Sequence, residues 1–200
     1  MDRSNHYEAA FAALLQARHV PHIGIDESRR SWLGGGRLKS LDFILPARGA
    51  GHWLIDVKGR RWPGGSPERP NRSWQNWATR ADVVDSLAWA HSFGPAAAPW
   101  FVFAYWITEP QPPPLPAPLW TWHEQRYLFQ AIPVADYAAA MKTRSAKWDT
   151  VCLPAATFAR LTRPLAELVP ELGAAADPPG SMDSLLLDRP CHAAPACLAP

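Results

Sequence analysis

The run Leu54-Ile55-Asp56-Val57-Lys58 places the tightest condition on how this chain folds. Together with Trp53 its apolar members have the composition of a buried strand, yet it holds a carboxylate and an ammonium two positions apart. Alternate residues of a strand share a face, so Asp56 and Lys58 project side by side, roughly 6–7 Å apart. Two charges in low dielectric are costly unless they pair or hold something charged. Upstream, Ser40-Leu41-Asp42-Phe43-Ile44-Leu45 is a second short apolar run with one acidic residue. An Asp, a gap, and then Asp-x-Lys is the pattern that a metal-dependent nuclease needs.

Composition narrows the class. Two hundred residues suit one domain with a real core, and 48% hydrophobic residues with eleven Trp argue for a packed soluble protein. Cys152, Cys191 and Cys197 are too few and too irregular for a disulfide framework, which fits a reducing compartment. The first residues lack a long apolar segment and no run approaches transmembrane length, so a cytoplasmic protein without membrane contact is expected. The net charge of +2 discriminates nothing, but residues 1–95 carry 13 Lys/Arg against 9 Asp/Glu, while 96–200 carry 7 against 9. The excess gathers at Lys58, Arg60, Arg61, Arg69 and Arg72 against Glu68 alone. A phosphate-facing loop and a solvated basic loop both explain it.

Along the chain, residues 4–18 read as an amphipathic helix with Ser4 as N-cap and Tyr7, Phe11, Leu14 and Leu15 as its stripe. Glu8 sits beside that stripe, positioned either to enter a cleft or to favour the helix dipole. Strands are expected over 20–26, 39–45 and 52–58, with a Gly-rich connection over 27–36 and an exposed, mobile loop over 59–72. Thr79-Arg80-Ala81-Asp82 has the form of a capping box opening a helix through Ser92, with Val83, Val84, Leu87 and Ala90 on its buried side and Gly94-Pro95 as its stop. Residues 100–107 read as a central strand buried on both faces. A polyproline-like loop over 109–118 precedes a hairpin around His123-Glu124-Gln125, a short helix over 135–141, a strand over 150–153 and a helix over 155–168 interrupted near Pro164. One domain over 1–172 (core 4–108, extension 119–172) is expected, followed by a disordered tail over 173–200. Cys191, His192 and Cys197 in that tail lack a fourth ligand at sensible spacing, so zinc is not expected there.

Helix, strand, strand, strand, helix, strand is the resulting order, with Glu8 on the first helix, Asp42 on the second strand, and Asp56 with Lys58 on the third. Phosphodiester hydrolysis needs charge neutralised, a water activated and a leaving oxygen stabilised. Mg²⁺ prefers oxygen ligands with few of them from protein, which Asp42, Asp56 and the Val57 carbonyl supply. Glu8 would bind a second ion or orient the water, and Lys58 would polarise the water or neutralise developing charge. The chain uses Arg over Lys sixteen to four, so a Lys at position 58 hints at a need for a compact, titratable ammonium.

This order and the Glu8…Asp42…Asp56-x-Lys58 set resemble the PD-(D/E)XK nuclease superfamily, with Leu41 in place of the Pro of that name. More narrowly, His6-Tyr7-Glu8-Ala9-Ala10-Phe11-Ala12 resembles the signature of the bacterial HYExAFE family, with Ala12 replacing its last Glu. Asp26-Glu27, residues 38–43, 54–60, 76–82 and 153–156 also resemble that family, so the likeness runs from Met1 to about Leu168. The resemblance implies an α/β, restriction endonuclease-like αβββαβ core with a mixed central sheet flanked by helices, extended by a C-terminal hairpin and helix. It also implies a nuclease using Mg²⁺ or Mn²⁺, with Glu8, Asp42, Asp56 and Lys58 as catalytic residues, acting on DNA or another nucleic acid. A core cutting both strands would work as a homodimer. The superfamily includes members that have lost catalysis, so a silent module binding nucleic acid or a protein is the alternative. A third reading makes Asp56 and Lys58 a buried ion pair in an unrelated α/β domain.

Auxiliary candidates carry plainer readings beside them. Gln75 precedes the second helix, where some superfamily members place a polar helper, and also suits an ordinary loop. His6 suits a phosphate contact or a helix-start structural role. Arg60, Arg61 and Arg72 are the expected nucleic-acid contacts. Trp62, Trp74 and Trp77 flank them and suit either base stacking or core packing.

Overall fold

The computed structural model describes residues 6–25, 32–33, 36–37, 39, 41–47, 51–66, 68–110, 118–169 and 172. Helix α1 spans His6–Ala17 and buries Ala10, Phe11, Leu14 and Leu15, as its apolar spacing dictates; Ser4 lies outside the described residues. The strand expected at 20–26 is only β1, Ile23–Gly24. Val20 is spent on the helix end, where its N–H donates to the Leu15 carbonyl at 2.9 Å and its side chain is buried. Within the expected Gly-rich connection, Trp32–Leu33 pairs with Gly36–Arg37. Strand β2 covers Phe43–Pro46 and not residues 39–45. Lys39 is held by a helix instead: its N–H donates to Asp85 at 3.0 Å, and its carbonyl accepts from Trp89 Nε1 at 2.8 Å.

Strand β3 runs His52–Trp62, and this is the largest departure from the sequence expectation. The segment read as a mobile loop from Gly59 is strand through Trp62, followed by a hairpin of Gly64–Ser66 with Arg69–Asn71. The reason is tertiary. Strand β4, Ala97–Ile107, pairs with β3 in parallel from His52↔Ala97 to Trp62↔Ile107, so the ladder carries Gly59, Arg60 and Arg61 with it. Helix α2, Arg80–Phe93, makes the crossover and ends at Gly94, whose φ of 92° suits glycine. Its buried side is Asp82, Val83 and Ser86, whereas Val84 and Leu87, expected inside, are 56% and 38% exposed.

Strands β5 (Trp120–Trp122) and β6 (Gln125–Pro133) form the expected hairpin, with His123 and Glu124 both at positive φ. Helix α3 (Val134–Ala140), strands β7 (Lys142–Ser145) and β8 (Thr150–Cys152), and helices α4 (Ala155–Leu161) and α5 (Leu165–Leu168) follow, and between the last two the short strand Arg163–Pro164 pairs antiparallel with β6. The main sheet is ordered β1-β2-β3-β4-β6-β5, antiparallel except between β3 and β4. Helix α1 packs on one face, with Phe11 against Phe43 and Phe129. On the other face Val83 of α2, Tyr137 of α3 and Phe158 of α4 meet Phe101, Phe103 and Tyr105 of β4, which is buried on both sides as expected. This is the mixed-sheet αβββαβ arrangement with its following hairpin and helices. The parts of the Pro-rich loop at 111–117 and the tail from 173 lie outside the described residues.

Gly59 locks α1 against β3. A Cβ there would stand 2.2 Å from Cδ2 of Tyr7, the residue before Glu8. Gly59→Ala is therefore expected to lower stability by about 1–3 kcal/mol in urea unfolding, through overpacking and not backbone strain.

Candidate functional site

Strand alternation divides β3 chemically. Ile55 and Val57 enter the apolar cluster beneath α1, while Asp56, Lys58, Arg60 and Trp62 take the opposite, α2-facing side. Asp56 and Lys58 are 5% and 6% exposed, so the pair is indeed buried. Lys58 Nζ lies 2.6 Å from Asp56 Oδ2 and 3.1 Å from Asp82 Oδ2, and Lys39 Nζ lies 2.7 Å from Asp82 Oδ1. The four charges alternate in sign through one cluster.

Asp82 reaches this cluster because of how α2 starts. Thr79 caps the helix, with its Oγ1 accepting the Asp82 N–H at 3.0 Å and its own N–H donating to Asp82 Oδ2 at 2.8 Å, a complete capping box. Ala78 and Thr79 pair with Val151 and Thr150 of β8, which fixes where the helix begins. Burial works against the charge on Asp82, but Lys58 and Lys39 hold its carboxyl below the usual carboxylate range. Burial likewise opposes charge on Lys39, and the attraction of Asp56 and Asp82 overcomes it to raise that ammonium above its ordinary value.

Asp42 sits at a bend immediately before β2, not within the strand, and is 5% exposed. Its N–H donates to the Ile55 carbonyl at 3.0 Å and its Oδ2 accepts from the Val57 N–H at 2.5 Å, so two bonds bind it to β3. Burial, then the negative charge of Asp56, and also that of Glu8, push its carboxyl up to about 9. Asp56 is also raised, by burial above all. Glu8, half-buried on α1, acts on the same carboxyl from that helix.

Among the described residues, no group of three or more His, Cys, Asp or Glu side chains is arranged to hold a metal ion. The donors at Asp42 and Asp56 still suit a hard divalent cation chemically. They are oxygen ligands from adjoining segments, and Asp42 is driven toward protonation by the very carboxylates a cation would reconcile.

The auxiliary candidates scatter. His6 shares a hydrogen bond of 2.8 Å with the Tyr127 hydroxyl, which donates to Gln125, and it packs against Tyr7 and Trp106. Arg60 is turned inward, donating to the Gly59 and Trp77 carbonyls with its guanidinium 3.8 Å from the Trp77 ring centre. Arg61 is exposed, and Arg72 pairs with Glu109 at 2.6 Å. Gln75 lies against Gly64, where an added Cβ would meet its amide nitrogen at 2.4 Å. Two charged members went unread in the sequence, Lys39 and the second role of Asp82. The capping-box position was visible; that a first-turn carboxylate also faces Lys58 depends on the β3–α2–β4 crossover.

No protein-family model matches the chain, and no curated protein matches it. Among solved structures it is similar to a Holliday junction resolvase, Hjc, of the archaeal hyperthermophile Archaeoglobus fulgidus, at 12% identity and a TM-score of 0.48 over 82% of this chain and 97% of that one. Among the described residues no helix is long and apolar enough to cross a membrane.

Proposed function

We propose that this chain is a nuclease that hydrolyses phosphodiester bonds of DNA or another nucleic acid with Mg²⁺ or Mn²⁺, centred on Asp42, Asp56 and Lys58. The supporting observation is the burial of two mutually opposed carboxylates beside an ammonium, at the junction of β2 and β3. Asp42, Asp56 and the Val57 carbonyl would hold the cation, which supplies positive charge against the phosphate when bound. Lys58 would set its ammonium against the developing charge, with Asp82 helping to hold it in place. Glu8 orients the attacking water from α1. Residues 1–172 would act as one unit, as a homodimer where both strands are cut. We also infer kinship with the HYExAFE family from the stretches it resembles.

Cleavage of plasmid and single-stranded substrates with each cation tests this. Asp56→Ala with Lys58→Ala is expected to reduce the rate at least about a hundredfold, and undiminished cleavage by that double variant overturns the assignment. One feature favours the silent binding module instead: Lys58 is already held by two carboxylates and its side chain is only 7% exposed. That reading gains if calorimetry detects no Mg²⁺ or Mn²⁺ uptake dependent on Asp42 and Asp56.

A further inference from the structure

The α2-facing side of β3 continues past the charged cluster to Arg60 and Trp62, and there the chemistry changes from ionic to aromatic. A cavity of about 280 Å³ opens beside them, lined by Trp74, Trp77, Gln75, Asn71 and Arg144 among others. We propose that this cavity is a subsite for one unpaired nucleobase, so that the nucleic acid taken by this chain is single-stranded or locally unpaired where it is bound. The proposal rests on the nuclease-like reading for its ligand class and deepens it by naming the form of the strand.

The two indoles are built as fixed surfaces. Trp77 is half-buried, and Arg60 is held close to its ring by the carbonyls of Gly59 and of Trp77 itself. Trp74 stacks on the fully buried Trp62, with ring centres 5.1 Å apart and planes 19° apart, and meets Tyr105 edge-on at 4.8 Å. A ring already immobilised by its supports loses little entropy when a base stacks on it. The side-chain amides of Gln75 and Asn71 at the lining suit the donor and acceptor edges of a base.

Charge and position agree with this ligand. Arg144 on β7 lies 5.2 Å from the Trp77 ring centre and is exposed. The neighbouring Lys142 and Lys147 are exposed too, and the one acidic residue of that hairpin, Asp149, is occupied by Arg80. A phosphate backbone entering the cavity therefore runs beside cations. Arg60 follows Lys58 by two residues on one face, about 7 Å along the strand. The indole that Arg60 supports is thus on the same side of β3 as the charged cluster.

The test is equilibrium binding of labelled oligonucleotides to the full chain in EDTA, where no metal-dependent cutting occurs. A single-stranded DNA or RNA decamer is expected to bind more tightly than a blunt duplex. It should weaken about tenfold when its bases are replaced by abasic sites. Trp77→Phe should weaken the normal strand and leave the abasic strand nearly unaffected, whereas Arg144→Ala, which removes a cation beside the phosphates, should weaken both. Equal binding of abasic and normal strands overturns the subsite, and so does tighter binding of duplex than of single strands. The abasic comparison alters no protein residue, so a misfolded variant does not obscure it. Base-dependent binding without cleavage keeps the subsite and removes the nuclease reading, whereas cleavage without base dependence does the reverse.

Discussion

Asp82→Ala is expected to be the most damaging single change in the charged cluster, lowering unfolding stability by about 3–5 kcal/mol. Two losses combine. The capping box loses one half, because the Thr79 N–H loses the Asp82 carboxylate while the backbone N–H of residue 82 still donates to Thr79 Oγ1. Lys58, its side chain 7% exposed, keeps only Asp56 as a counter-charge in low dielectric. Lys39 contributes less to the damage, since its side chain is 48% exposed and water replaces Asp82. Urea unfolding at pH 7 measures the effect, and Asp82→Asn, which keeps an acceptor for the Thr79 N–H but removes the charge, should cost nearly as much. A much smaller cost for Asp82→Asn would mean that the cap, and not the ion pair, dominates. The sign of the acid response follows from the same contacts. Because Asp82 titrates below its unfolded value, its stabilisation is complete above the ordinary carboxylate range and is lost as pH falls through its lowered folded value.

The order of elements was legible because local signals and tertiary packing agree in most of the chain. The α1 stripe, the all-apolar β4, the capping box at Thr79 and the break at Pro164 each carry their own chemistry, and each appears in place. Where the reading failed, partners distant in sequence decided the outcome. Gly59-Arg60-Arg61 has the composition of a loop, but β4 supplies a ladder for it, Tyr7 needs the missing Cβ of Gly59, and Trp77 receives Arg60. Val84 and Leu87 fit an apolar stripe, yet α2 rotates to place Asp82 and Ser86 inward, since the buried lysine beneath it needs a carboxylate more than the helix needs two further apolar contacts. Asp56 and Lys58 were legible as a pair, being two apart on one strand. Their environment was not, because Lys39 arrives from a segment 19 residues before Lys58 and Asp82 from 24 residues after it.

Asp42→Asn should separate a metal centre from a merely buried carboxyl. Asparagine keeps an acceptor for the Val57 N–H and removes the charge that burial, Asp56 and Glu8 oppose. A carboxyl raised in the folded state to about 9 costs stability once pH exceeds its unfolded value, and the cost grows until pH reaches that raised value. The metal-free variant should therefore match the wild type near pH 4 and exceed it at pH 8, by about 1–3 kcal/mol even if only one or two units of the displacement are realised. Mg²⁺ or Mn²⁺ at a hundred times its dissociation constant should stabilise the wild type by about 2.7 kcal/mol. It should bind more tightly as pH rises, because a proton must leave Asp42. Thermal unfolding with and without cation, across this pH range, reads both effects. The expected pattern is a variant more stable than the wild type without metal and indifferent to its addition. A variant less stable at every pH, with an undiminished metal response, would place the cation elsewhere and make Asp42 a structural acceptor for the Val57 amide. Only the carboxylate that is unfavourable without a cation and required with one has the energetics of a ligand.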